Sequence, residues 1–540
     1  MSLQEKVIYQ IYPKSFQDTD QNGIGDLAGI IQRLPYLHKL GVDMLWLSPI
    51  YPSPQKDNGY DISDYCGIDP VFGTMQDFEK LIAAAKSCGI EIMVDMVLNH
   101  VSTAHPWFQK ALAGDEKYQD YFILRDAPTD WISKFGGSAW APFGDTGKYY
   151  LHLYDPSQAD LNWRNPRVRE ELFKVVDFWL EKGVKGLRFD VLNVIGKDTV
   201  LKDNPVDDGK PEYTDKPVTH DYLQELNRAT FGKDPSVVTV GEMSSTTIEN
   251  CILYTRPDRK ELDMTFNFHH LKVDYEAGQK WTTCAFDFAE LKQLLHSWGE
   301  AMSRNDGWNA LFWNNHDQPR ALNRFIQWQD HRVKGAQMLA AAIHLNRGTP
   351  FIYMGEELGM LDPDYADITD YVDIEAQNAY RNLLAAGKSA AEALQIVKTK
   401  ARDNARTPMQ WSAEKNAGFS KGTPWLKIAQ NYPMINAARE LESGEIFPFY
   451  QQLIALRKAY PLISRGSYQA YLPAHPQVYS YLREYEGQKL LVLTNFYADH
   501  PKVTIPKEFL NGKELINNYP AKKLTTSFEM QPYQALAILR

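Results

Sequence analysis

The sequence predicts an α/β fold in which eight strand–helix units close into a (β/α)8 barrel. A small domain is expected after the third strand, and an antiparallel β-domain at the C-terminus. Three observations lead there. Short apolar, β-rich runs alternate with helical patterns over most of the 540 residues, as in a parallel sheet with crossover helices. One connection is far too long and too aromatic to be a loop. The final stretch switches to strands that follow one another without helices between them.

The eight runs are Val7–Tyr12, Met44–Leu47, Ile92–Val97, Gly186–Phe189, Val237–Val240, Met264–Phe268, Ala310–Trp313 and Pro350–Tyr353. Helical segments such as Gln76–Ser87, Glu170–Leu180 and Phe288–Met302 lie between them. Such a barrel carries its site at the C-terminal strand ends. Two intervals break the rhythm. Val101–Arg164, rich in Trp, Tyr, Gly and Asp, separates the third run from a helix opened by Asn165–Pro166, an N-cap followed by a first-turn proline. Asp373–Arg402, after the eighth run, has helical periodicity and reads as a lid-like insertion. After the helix Phe447–Lys458 come the strands VYSYLREY, KLLVLTNFY and ALAIL. A chain this long exceeds one core. The expected domains are a barrel of 1–100 and 165–463, an inserted domain 101–164, and a β-sandwich 464–540.

A net charge of −10 with both signs scattered leaves no basic stripe, so neither nucleic acid nor an anionic membrane is an expected partner. A small anionic substrate stays compatible, since a few local lysines suffice to bind it. The N-terminus shows no basic segment followed by an apolar one, and the longest apolar runs, such as Met338–Ile343, are too short to span a bilayer. Cys66, Cys88, Cys251 and Cys284 have neither metal nor redox spacing. A cytoplasmic, monomeric protein with free thiols is expected.

Chemistry-bearing residues collect at the strand ends. DMVLNH puts Asp95, Asn99 and His100 at the third. GLRFDV puts Arg188 and Asp190 at the fourth, VTVGEM puts Glu242 at the fifth, and NNHDQPR puts His316 and Asp317 after the seventh. One strand-end aspartate most often caps a helix; three carboxylates converging on a barrel rim read as catalytic. Retaining cleavage of a glycosidic bond needs a carboxylate nucleophile and a protonated carboxyl roughly 5–5.5 Å from it. Asp190, beside Arg188, is expected to be held ionised by that cation and suits the nucleophile. Glu242 has no cation next to it in sequence, keeps its proton more easily, and suits the general acid/base. Asp317 then stabilises the positively charged transition state and orients sugar hydroxyls.

Those four motifs resemble, in order and spacing, the signature regions of the α-amylase superfamily of glycoside hydrolases. The resemblance implies a retaining mechanism with the same three roles, and a TIM barrel with a small inserted domain and a β-sandwich tail. KDNGYDISDY (Lys56–Tyr65) and RDNARTPMQW (Arg402–Trp411) resemble the exo-acting oligo-1,6-glucosidase group. That implies a terminal glucose gripped by Asp57 and Arg406, stacked on Tyr60, and bonded by His100 and His316, with Arg188 also at the site. DTDQNGIGD spaces oxygen ligands at alternate residues around a turn glycine, as hard-cation loops do. It resembles the Ca²⁺ loop of the same group, with Asp18, Asp20, Asn22, the Ile24 carbonyl and Asp26 as ligands. A structural Ca²⁺ is therefore expected, and no organic cofactor.

YQIYPKSFQDT, SKFGGSAW, DPSQADLNW, VGEMSSTT and MTFNFHHLKVDYEAGQKW (Met264–Trp281) resemble the branch of this group that acts on a phosphorylated disaccharide, α,α-trehalose 6-phosphate. The residues agree independently. His269, His270, Lys272 and Lys280 collect cations and donors in the loop after the sixth strand, and Lys197 could join them. Lysines would serve as point charges on a phosphate and histidines as donors. The alternative is an oligo-1,6-glucosidase or dextran glucosidase acting on neutral isomalto-oligosaccharides. A non-catalytic, transporter-associated subunit would have lost the carboxylates, and these are present. Met354 stands where the family has glutamine, and Cys66 where it has a bulkier residue; neither touches the carboxylates.

Overall fold

The computed structural model describes residues 2–540. The chain divides into two compact units. One comprises Met1–Leu45, Cys88–Ile90 and His269–Arg540; the other comprises Trp46–Ser87 and Glu91–Phe268.

Eight strands form one sheet: β1 (Ile8–Ile11), β2 (Met44–Leu47), β3 (Glu91–Met96), β4 (Gly186–Phe189), β5 (Val238–Glu242), β6 (Met264–Phe266), β7 (Ala310–Leu311) and β8 (Thr349–Tyr353). Their order is β6-β5-β4-β3-β2-β1-β8-β7. Apart from β6 and β7, which stand at the two ends of the order, sequence neighbours are sheet neighbours, and the last strand pairs parallel with the first, Ile8 opposite Phe351. This is the cyclic order of the predicted (β/α)8 barrel. The strands are buried almost throughout, which is why they read as continuous apolar runs rather than alternating ones.

In the second unit the register does the positioning. Asp95 on β3 is level with Arg188 on β4, and Arg188 is level with Val240 on β5. Two residues further on, on the same face of each strand, come Asp190 and Glu242. The parallel ladder therefore delivers both carboxylates to the same height above one arginine. Helix α2 (Met75–Ser87) precedes β3, whereas α1 (Leu27–Leu40), capped by Asp26, belongs to the first unit. Helix α3 (Pro166–Glu181) starts where Asn165 caps it, accepting the Arg167 N–H.

The segment between β3 and α3 holds a three-stranded antiparallel sheet, ordered Leu124–Arg125, Tyr149–Leu151, Trp140–Pro142, and a pair of His100–Ser102 with Gln158–Asp160. Its aromatic composition is its core. Trp131, Trp140, Leu151 and Leu153 pack with Val191, Val194 and Tyr213 from the chain just after β4.

In the first unit α4 (Phe288–Arg304) follows β6. The stretch read as helical, 373–402, forms two helices, α5 (Ile374–Ala385) and α6 (Ala390–Lys400). Gly387 turns the chain at φ +90°, and Ser389 with Glu392 forms a capping box that starts α6 afresh. Helix α7 (Ile446–Ala459) leads to the predicted antiparallel domain. Its strands are β9 (Gln469–Tyr471), β10 (Val478–Tyr485), β11 (Gln488–Asn495), β12 (Lys502–Thr504), β13 (Lys513–Asn517), β14 (Ser527–Glu529) and β15 (Ala535–Leu539). The main sheet runs β9-β10-β11-β15-β13, and β12 pairs with β14. Val478, Leu491, Leu493, Phe528 and Ile538 fill the core behind them. Among the described residues no helix is long and apolar enough to cross a membrane, and all four cysteines are free.

Candidate active site

In the second unit three carboxylates share one cation. Arg188, 1% exposed, donates from Nη1 to Asp95 Oδ1 (2.6 Å) and to Asp190 Oδ1 (2.7 Å), and pairs through Nη2 with Glu242. The guanidinium lies 5.1 Å from the Trp46 ring and 5.8 Å from the Tyr60 ring, whose faces favour its charge. Asp95 also accepts from Trp46 Nε1 (3.2 Å) and the Tyr60 hydroxyl (3.0 Å).

This geometry corrects two expectations. Glu242 lacks a cation only in the linear sequence; in space it shares the one beside Asp190. Nor does Arg188 hold the Asp190 carboxyl low. Burial pushes it up to about 6, and the like charge of Asp95 adds to the rise, while Arg188 pulls against both. One guanidinium shared among three carboxylates does not repay the desolvation of Asp95 and Asp190. A pKa of about 6 leaves Asp190 mainly ionised at pH 7. The next residue, Val191, adopts φ 37° and ψ 43°, a left-handed conformation that a β-branched side chain takes only under constraint.

His100 is buried, and Nε2 donates to the Tyr60 carbonyl (3.2 Å); burial lowers its pKa, so the ring is neutral. Asp57, 5% exposed, accepts from Gln158 Nε2 (3.1 Å), and its N–H donates to Asp61 (3.0 Å). Lys197 departs from expectation. It is 3% exposed, with its ammonium between Asp160 Oδ2 (2.7 Å) and Asn99 Oδ1 (2.7 Å). It braces the inserted segment against the end of β3 instead of joining a phosphate site.

The first unit carries Asp317. Its N–H donates to Asn315 Oδ1 (2.8 Å), and its carboxylate accepts from Arg406 Nη2 (2.7 Å), with Arg402 Nη1 at 3.5 Å and His316 Nε2 at 3.4 Å. Burial raises its pKa, but His316, Arg402 and Arg406 outweigh it and hold the carboxyl far below the usual range. The Gln10 amide binds His316 Nδ1 (2.8 Å), and Tyr12 stacks on the ring at 14°. Arg406 also donates from Nε to the His316 carbonyl (2.8 Å). Arg402 grips Asp373 through Nε and Nη2. Asp373, Arg402 and Gln10 were not singled out in the sequence. Arg402 opens the RDNAR motif, whereas nothing marks Asp373 beyond its place as the N-cap of α5.

The loop after β6 is also in this unit. Lys272 is exposed. Lys280 binds both oxygens of Glu375 on α5 (2.9 and 2.7 Å); burial works against its charge, but Glu375 more than offsets this and keeps the amine protonated. His269 is half-buried, its pKa lowered by burial and by Lys272. His270 corrects its assignment. Its Nε2 donates to the Phe312 carbonyl (2.8 Å), and burial lowers its pKa to about 4, so it is a neutral structural ring.

Residues 18–26 bring oxygen atoms of Asp18, Asp20 and Asp26 within 4.8 Å of one another. Asn22 donates to Asp20 Oδ2 (3.0 Å), and its own Oδ1 accepts the N–H of Ile24, which is partly exposed (2.7 Å). Gly23, at φ +89°, admits no side chain, since a Cβ would meet the Thr423 carbonyl oxygen at 1.9 Å. An all-oxygen, three-carboxylate donor set fits a hard divalent cation.

Residues 10–466 match the family described as alpha amylase, catalytic domain, and residues 478–536 match the alpha-amylase SusG C-terminal domain. The chain is 49% identical to the trehalose-6-phosphate hydrolase of Escherichia coli (strain K12), over 99% of this chain and 98% of that one. It is 43% identical to an oligo-1,6-glucosidase of Halalkalibacterium halodurans, over 99% and 98%. A crystal structure of Bacillus licheniformis trehalose-6-phosphate hydrolase superposes with a TM-score of 0.95 at 49% identity, covering 99% of each chain.

Proposed function

The chain belongs to the alpha-amylase family and is a glycoside hydrolase; from that premise we propose that it hydrolyses α,α-trehalose 6-phosphate, with retention, to glucose and glucose 6-phosphate. In the first step Asp190 attacks the anomeric carbon while Glu242 gives its proton to the departing glycosidic oxygen, which leaves on glucose 6-phosphate. Glu242, now a carboxylate, takes a proton from water. That water opens the glucosyl ester, and glucose departs as the α-anomer. One observation carries the chemistry: two ends of a single guanidinium hold Asp190 and Glu242. Such a bridge suits the roughly 5–5.5 Å separation of retention rather than the 6.5–9.5 Å of inversion.

Asp317 takes the third role. Two arginines and a histidine keep it ionised, as a carboxylate must be to bind sugar hydroxyls and to face a developing cation. Asp57, Tyr60, His100, His316 and Arg406 are assigned to the glucose that becomes the intermediate. The substrate assignment draws on the loop after β6, with Lys272 and Lys280 as cations for the phosphate and His269 as a donor. It also draws on the full-length likeness to the E. coli phosphotrehalose enzyme.

One observation favours a neutral substrate instead: Glu375 already neutralises Lys280. An isomalto-oligosaccharide would not disturb that pair, and an oligo-1,6-glucosidase is also a close relative. Hydrolysis of trehalose 6-phosphate beside unphosphorylated trehalose and isomaltose separates the two readings.

We assign residues 18–26 to a structural Ca²⁺, held by Asp18, Asp20 and Asp26, with Asn22 and the Ile24 carbonyl completing the shell. Such an ion would offset the mutual repulsion of three carboxylates; nothing in the hydrolytic steps calls on it.

A further inference from the structure

Asp190 follows the last residue of β4, and Glu242 is the last residue of β5. The last register pair between β4 and β5 is Phe189 with Gly241, so the ladder ends one residue before each carboxylate. The next connection across this gap comes from a buried side chain. Asn193 Nδ2 donates to the Ser244 carbonyl (2.8 Å), and its Oδ1 accepts the Ser244 N–H (2.9 Å). One amide thus replaces the missing ladder pair, joining the chain three residues past Asp190 to the chain two residues past Glu242.

The surroundings hold this amide in place. The single 3₁₀ turn Leu192–Val194 that carries it is entered through Val191, whose left-handed backbone persists only where neighbours over-determine it. Asn193 Nδ2 also donates to Asp215 (2.9 Å). Asp215 in turn accepts from Asn250 (3.1 Å) and from the Tyr254 hydroxyl (2.9 Å), both on the helix Ile248–Thr255 that follows β5. Lys134 of the inserted segment donates to the Ser244 hydroxyl (2.9 Å). The position needs a donor and an acceptor on one planar group, which aspartate and leucine lack.

We propose that Asn193 is a positioning residue that fixes Glu242 relative to Asp190. Each carboxylate has a backbone anchor on its outer side: the Asp190 N–H donates to the Met96 carbonyl (3.0 Å) on the β3 side, and Glu242 is level with Phe266 on β6, where the Met243 N–H donates to the Phe266 carbonyl (3.2 Å). Between the two, Arg188 lies before them and the Asn193–Ser244 pair after them. Loss of the pair therefore loosens the spacing between proton donor and nucleophile, which matters most to leaving groups that need both, and misplacement of about 1 Å is enough to cost rate on the order of a hundredfold.

The test is Asn193→Ala, assayed on aryl α-glucosides whose leaving phenols range from strongly to weakly acidic. Such substrates carry no phosphate, so the result stands apart from the trehalose 6-phosphate assignment. The expected result is a loss of about ten- to a hundredfold in kcat/KM for the poorest leaving groups. For the best, which depart without a proton, the loss should be under about threefold, so the dependence on phenol acidity steepens. If the alanine variant does not fold, the near-isosteric Asn193→Asp, which lacks the donor, is read on the same series and should show the same steepening. An equal loss along the whole series, or no loss, in a folded variant overturns the proposal.

Discussion

Arg188 Nη1 lies 2.7 Å from Asp190 Oδ1, and the opposite end of the same guanidinium meets Glu242. The arginine therefore does not choose one of the two carboxylates; it spans both. Asp190→Asn should reduce turnover of any α-glucoside by several orders of magnitude with the fold intact. A mutant of near-normal activity would remove Asp190 from the mechanism.

The raised Asp190 pKa fixes the acid limb of activity. As pH falls through about 6, Asp190 takes up a proton and loses its nucleophilicity, so kcat/KM should drop tenfold per pH unit below that point. Stability follows the opposite course. A carboxyl raised in the folded state binds its proton more tightly there than in the unfolded chain, so its ionisation weakens the fold as pH rises from 4 through 6. Asp190→Asn, which cannot ionise, should melt higher than wild type at pH 7, and the difference should close towards pH 4. A variant that melts lower at pH 7 would mean that Arg188 rewards the charge more than burial penalises it.

Glu242→Gln should be read on two substrates. It should lose at least a hundredfold on trehalose 6-phosphate, whose leaving sugar needs a proton, while the first step on an activated aryl α-glucoside is nearly spared. Equal losses on both would deny Glu242 the proton-donor role.

Lys272→Ala and Lys280→Ala test the phosphate. Each removes a charge-assisted bond of roughly 1.5–3 kcal/mol, so kcat/KM for trehalose 6-phosphate should fall by about ten- to a hundredfold. A neutral aryl α-glucoside should be hydrolysed almost as before. For Lys280 an equal loss on both substrates would mean that the lysine serves mainly to hold Glu375 and the start of α5.

Chelation of divalent cations should lower the melting temperature, because Asp18, Asp20 and Asp26 would be left facing one another. The kinetics of still-folded protein should be unchanged. Identical melting with and without chelator would argue for a plain turn.

The barrel was legible because its strands are buried on both faces and its helices are periodic, so the alternation survives in one dimension. Asp190 and Glu242 were legible as a pair because adjacent parallel strands end side by side. What escaped was geometry that depends on register and on distant pairing. Glu242 gained a cation 54 positions earlier in sequence because β4 and β5 are level. Lys197 and His270 looked like surface donors and proved buried, the first against Asp160 and the second against the Phe312 carbonyl. A charge beside a motif indicates what a residue can do, whereas burial determines what it binds.

The most direct measurement is a comparison of kcat/KM for trehalose 6-phosphate, trehalose and isomaltose, with the anomer of the first-released glucose followed by NMR. The account predicts that trehalose 6-phosphate is preferred by about ten- to a hundredfold over trehalose, the worth of one charge-assisted phosphate contact, and that glucose appears first as the α-anomer. Preference for isomaltose, or initial release of β-glucose, would contradict it.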